Sequence, residues 1–252
     1  MLLSELPYPT IFGHRGASAY APENTLAAFQ LALRQNADAI ELDAKLTSDG
    51  QVIVIHDQTV DRTTAHTGRV RDLPLSEFRK MDGGSHFDLA FKGEPVPTLD
   101  DVFQAVGQLT YINIELTNYA SIWDALPEKV AELVNQHQLS QRVLFSSFNP
   151  VALQRIRRLV PDAPIGLLAI KGASGAWARS MLSRVLPYNS LHPEKSDVTP
   201  SLVQNAHKRG QKVFVYTVNR QEDMIQLFQM GVDGIFTDDP VLARQVVQSM
   251  DH

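Results

Sequence analysis

Cysteine is absent from all 252 residues, which excludes a disulfide framework, a thiolate nucleophile and cysteinyl metal ligands. Long apolar runs are missing as well. No segment approaches the ~18 residues needed to span a bilayer, and the opening MLLSELPYPT has neither the basic flank nor the long apolar core of a secretory leader. The chain is therefore expected to be cytoplasmic, without membrane insertion. No Lys/Arg-rich run occurs, and the formal charge of −5 offers little to a polyanion, so no nucleic-acid partner is expected. Low-complexity segments and tandem repeats are lacking too. What is there, 44% hydrophobic and 20% charged residues, is the balance of a globular chain that buries a large core and acts on small or soluble molecules.

Short apolar runs recur with helix-period stretches between them. The expected strands are TIFGH (10–14), AIELD (39–43), VIVIH (52–56), YINIE (111–115), RVLFSS (142–147), PIGLLA (164–169), SLH (190–192), KVFVYTV (212–218) and GIFTD (234–238). Apolar spacing near three and four predicts helices over 26–35, 126–137, 150–160, 200–210 and 220–231. Such βα alternation fits an α/β fold of the TIM (β/α)8 barrel type, one domain over 1–252, better than an open sheet. Residues 57–98 break the pattern. They are rich in Gly, Asp, Thr and Pro with no long helical period, and read as a small insertion after the second strand that covers the active face.

The stretch DAIELDAKLTSDGQVIVIHD (38–57) puts Glu41 and Asp43 into an apolar strand and ends a second apolar run on His56 and Asp57. Residues two apart on a strand share a face, so the two carboxylates project together. Buried unpaired, they would raise each other's pKa at considerable cost, and a compensating cation is expected. The alternative is a solvated strand face on which they pair with Lys45 or Arg34. Glu115 also ends an apolar strand, and three hard oxygen donors at one rim suit Mg2+ or Ca2+. His14, followed by Arg15, ends the first strand as His56 ends its own. Two imidazoles, a guanidinium and three carboxylates at C-terminal strand ends coincide with the rim where barrel chemistry is done.

The segments GHRG, PENTLAAF, AIELDAKLTSDGQVIVIHD and DRTT, continued by PVPTLDDVF, INIEL, FSSFNP, VYTVN and GVDGIFTDDP, resemble the glycerophosphodiester phosphodiesterases over essentially the whole chain. The resemblance implies a TIM barrel that hydrolyses glycerophosphodiesters, such as glycerophosphocholine and glycerophosphoethanolamine, to sn-glycerol 3-phosphate and an alcohol. It also implies one divalent cation held by Glu41, Asp43 and Glu115, His14 and His56 as the acid/base pair, Arg15 on the phosphate, and attack by the neighbouring glycerol hydroxyl through a cyclic phosphate. One departure stands out: members commonly carry Lys two residues after the third carboxylate, where this chain has Thr117. Tyr216 stands where Trp is frequent and keeps an aromatic wall. Tyr216, Phe148 and His192 are candidate substrate-pocket residues. In PENT, Asn24 or Thr25 is expected to cap the first helix and Glu23 either to line the site or to act locally. Asp238, ahead of Pro240, is read as a helix cap. The rivals are a lysophospholipase D-type enzyme on the same barrel and a non-catalytic barrel that binds phosphorylated ligands; head group, metal and oligomeric state stay open.

Overall fold

The computed structural model describes residues 2–119, 121–172 and 187–250. Its strands are β1 (Thr10–Gly13), β2 (Ala39–Leu46), β3 (Val52–Val54), β4 (Tyr111–Leu116), β5 (Val143–Ser147), β6 (Ile165–Ala169), β7 (Ser190–Pro193), β8 (Lys212–Val215) and β9 (Gly234–Thr237). All pairings among them are parallel except that of β3, and β1 pairs with both β2 and β9, so the eight parallel strands close into a barrel. The described helices are α1 (Leu2–Glu5), α2 (Leu26–Arg34), α3 (Leu75–Phe78), α4 (Leu99–Val106), α5 (Leu126–Gln136), α6 (Pro150–Leu159), α7 (Pro200–His207), α8 (Gln221–Gln229) and α9 (Pro240–Met250). The TIM barrel expected from the sequence is the fold observed. Among the described residues no helix is long and apolar enough to cross a membrane.

Alternation along each strand builds two apolar layers. On β2, Ile40, Leu42 and Ala44 face outward and join Phe29, Val102 and Val130 of the surrounding helices. Inside, Phe12 of β1 stacks on Phe236 of β9 at 4.6 Å and meets Phe214 of β8 edge-on at 5.0 Å, with Ala39 and Leu144 beside them. This aromatic plug fills the lower barrel. Glu41, Asp43 and Lys45 continue the same inward face of β2 from Ala39 toward the C-terminal rim.

The run at 52–56 is a strand but not a barrel strand. β2 extends well past its expected end, and the turn Ser48–Gly50, with Gly50 at φ +75°, sends the chain back on itself. β3 then pairs antiparallel with the end of β2, Val54 opposite Ala44 and Val52 opposite Leu46. His56 thus reaches the rim from a returning strand. Beyond it the insertion holds only α3 and two short 3-10 turns, Val70–Asp72 and Leu89–Phe91, around a small apolar cluster containing Ile53, Val60, Val70, Phe78, Met81 and Val96. Thr98 closes it with a capping box on α4, worth about 1 kcal/mol.

Candidate active site

Strands β2 and β4 lie in parallel register with Glu41 opposite Asn113 and Asp43 opposite Glu115. Glu41, Asp43 and Glu115 therefore converge, each offering a carboxylate oxygen within 4.8 Å of the others. Glu41 is 3% exposed and Asp43 1%, so the solvated-face alternative does not hold. Burial, with repulsion from Asp43 and Glu115, drives Glu41 well above the usual carboxylate range. Burial and the Asp43 charge push Glu115 up to about 7. The protein offsets this only in part. The Arg15 backbone N–H donates to Glu41 Oε2 at 2.9 Å, Asn24 Nδ2 donates to Asp43 Oδ2 at 2.9 Å, Arg15 Nε stands 3.3 Å from Asp43, and the Tyr119 hydroxyl donates to Glu115 at 2.6 Å. Three under-compensated hard oxygen donors, two buried and Glu115 half-buried, fit a divalent cation.

Each of the two histidines rests on its own carboxylate. His14 Nδ1 lies 2.6 Å from Asp238 Oδ1, and His56 Nδ1 lies 2.7 Å from Asp57 Oδ1. In both rings Nε2 is left as the nitrogen for chemistry. Asp238 is held in turn by the Ser18 hydroxyl at 2.9 Å and by Asn219 Nδ2. It does not cap the following helix: Asp239 does, accepting from the Leu242 N–H at 2.9 Å. That leaves Asp238 free to orient His14.

Arg62, from the insertion, ties the two halves of the rim together. It donates to Asp57 through Nε at 2.7 Å and to both oxygens of Glu23 at 2.7 and 2.8 Å, while Glu23 accepts from Arg15 Nη1 at 2.9 Å. Burial alone would raise Glu23, but the two guanidinium groups overcome it and hold the carboxyl at about 2. Glu23 thus fixes Arg15 rather than acting only locally, and Thr25, not Asn24, caps α2. The turn that presents Arg15 needs positive φ at Arg15 (53°) and Gly16 (87°).

These groups surround a cavity of about 270 Å³ lined by His14, Arg15, Glu41, His56 and Glu115, with Phe148 and Tyr216 on the opposite side. Phe148 and Tyr216 meet edge-on, ring centroids 6.1 Å apart. His192 is not part of the lining. It is fully buried lower in the barrel, packs on Phe214 and Phe236, and bonds Ser190 Oγ through Nε2 at 2.8 Å, its pKa lowered to about 3 by burial. Sequence reasoning missed Asp57 and Arg62, although HD and DRTT carried both, and missed how Asp238 is used.

A model of the glycerophosphoryl diester phosphodiesterase family matches residues 14–242. The chain belongs to this family. A glycerophosphodiester phosphodiesterase of Caldanaerobacter subterraneus subsp. tengcongensis is 42% identical over 231 residues, 91% of this chain and 94% of that one. Another, from Bacillus subtilis, is 32% identical over 92% of this chain and 84% of its own length. Among solved structures, an Oleispira antarctica phosphodiesterase in complex with the product sn-glycerol-3-phosphate superposes with a TM-score of 0.88 at 31% identity, covering 96% of this chain and 97% of that one. In this member of the glycerophosphodiester phosphodiesterases, the carboxylate triad, Arg15 and the two carboxylate-held imidazoles thus stand together at one rim of the barrel.

Proposed function

We propose that this chain hydrolyses glycerophosphodiesters such as glycerophosphocholine and glycerophosphoethanolamine to sn-glycerol 3-phosphate and an alcohol, with one Mg2+ or Ca2+ held by Glu41, Asp43 and Glu115. The observation that carries the reading is that His14 and His56, each with Nδ1 on a carboxylate, line the same cavity as Glu41 and Glu115 of the triad. Binding alone needs neither imidazole. When bound, the cation would supply positive charge to the non-bridging phosphate oxygens.

The chain's own residues account for the rest. Arg15, pinned by Glu23, presents its guanidinium to the phosphate. One Nε2 takes the proton of the glycerol 2-hydroxyl as its oxygen bonds phosphorus. The P–O bond to the head-group alcohol breaks, and the other imidazole, protonated, gives the departing oxygen a proton. Water then opens the resulting cyclic phosphate with the two roles exchanged. Phe148 and Tyr216 give the glycerol carbons an apolar wall.

The test compares glycerophosphocholine, its 2-deoxyglycerol analogue and lysophosphatidylcholine. Release of glycerol 3-phosphate from the first alone supports the proposal. Equal turnover of the 2-deoxy compound would remove the cyclic route, and preference for the lysophospholipid would move the activity to the lysophospholipase D type.

A further inference from the structure

Two of the cations at this rim are already committed. Arg15 is shared between Glu23 and Asp43, and Arg62 between Glu23 and Asp57. Lys45 is not: it is buried, 5% exposed, and among the described residues it forms no ion pair. The charges of Asp43, Glu115 and Asp57 act on it without a direct contact, so the ammonium keeps room for an anion at bonding distance.

Its position says which anion. Along β2, Glu41, Asp43 and Lys45 share the inward face, and the pairing of Ala44 with Leu116 is followed by Lys45 and Thr117, one step above the Asp43–Glu115 pair toward the rim. Lys45 Nζ donates to Thr117 Oγ1 at 2.6 Å, and Thr117 donates to the Ala44 carbonyl at 2.8 Å, so the threonine oxygen is turned as a seat for the cation. Among the described residues the other two ammonium N–H bonds have no partner. Lys45 and Thr117 line a second cavity of about 260 Å³ with Asn118, Gln58, Arg71 and Asp124, separate from the one lined by His14, Arg15 and Glu115, so the ammonium must leave its seat to reach a bound phosphate.

We propose that Lys45 is a phosphate-binding residue of this site, its ammonium bonding a non-bridging oxygen of the diester and then of the product from β2, with Thr117 as its resting place just past β4. The charge that family members commonly carry at position 117 is thereby supplied at the same level of the barrel from the neighbouring strand. The inference rests on the proposed phosphodiesterase reading.

The test is Lys45→Met beside the exchange Lys45→Thr/Thr117→Lys, which moves the amine across the strand pair, with Lys45→Arg as a variant that preserves charge. Two quantities are measured: kcat/KM for glycerophosphocholine, and calorimetric affinity for glycerol 3-phosphate with glycerol as the uncharged control. A charge-assisted hydrogen bond corresponds to about 10- to 100-fold in each of the two quantities. The expected result is a loss of that size in Lys45→Met, no change for glycerol, and recovery of most of it in the exchange variant. Product affinity within about twofold of wild type in Lys45→Met overturns the inference, as does a loss the exchange fails to repair while Lys45→Arg folds normally. Absence of turnover and of product binding in the wild type would instead overturn the phosphodiesterase reading itself.

Discussion

A carboxylate on Nδ1 fixes which nitrogen of a histidine is offered to a substrate. Asp238 does this for His14 and Asp57 for His56, so exchanging either carboxylate for an amide leaves the imidazole in place with its tautomer unpinned. Asp238→Asn and Asp57→Asn are each expected to lower kcat by about 100-fold with product affinity near wild type, measured by initial rates and calorimetry. Near-normal kcat in both would remove the carboxylates from the account. His14, His56, Glu41, Asp43, Glu115 and Arg15 were legible in the sequence because charge at the ends of apolar strands has no packing explanation. Asp238 was misread because sequence shows only the Pro240 that follows it; its partner is 224 positions away and is reached only through barrel closure. His192 was misplaced for a related reason: its strand was visible, but not the depth at which it would sit.

Among the elements, the turn after β1 and the insertion carry the strictest demands. Gly16 sits at φ +87°, and a Cβ there would lie 2.6 Å from the Ala28 backbone. Gly16→Ala is therefore expected to cost about 3 kcal/mol or more and to displace His14 and Arg15 together, seen as a lower thermal midpoint with lost turnover. Phe78, fully buried in the insertion's own cluster, is expected on replacement by Ala to cost about 3–5 kcal/mol locally and to weaken activity through Arg62. Unchanged stability in Phe78→Ala would mean that the cluster does not hold the insertion. The direction of β3 was not readable from its apolar run, since a returning edge strand and a barrel strand share one pattern. The Ser-Asp-Gly turn at 48–50 was the available signal.

Closure of the whole barrel sets the electrostatic balance of the rim, and that balance has a pH signature. Glu23 is held at about 2 against an ordinary 4.5, so its stabilising contribution is complete above about pH 4.5 and fades as pH falls toward 2. Glu23→Gln is expected to be about 2 kcal/mol less stable at pH 7, with the difference closing in acid, as followed by circular dichroism on denaturant titration. Glu115 carries the opposite sign: raised to about 7 by burial and Asp43, it binds a proton that a cation must displace. Affinity for Mg2+ or Ca2+ is accordingly expected to weaken below pH 7. The most direct test of the account is phosphorus NMR of the purified protein with glycerophosphocholine, before and after removal of divalent cations by EDTA. A glycerol 3-phosphate signal is expected that stops with chelation, returns when Mg2+ or Ca2+ is restored, and is absent in His14→Ala and His56→Ala. Turnover that persists in excess EDTA, or that survives in both histidine variants, would contradict it.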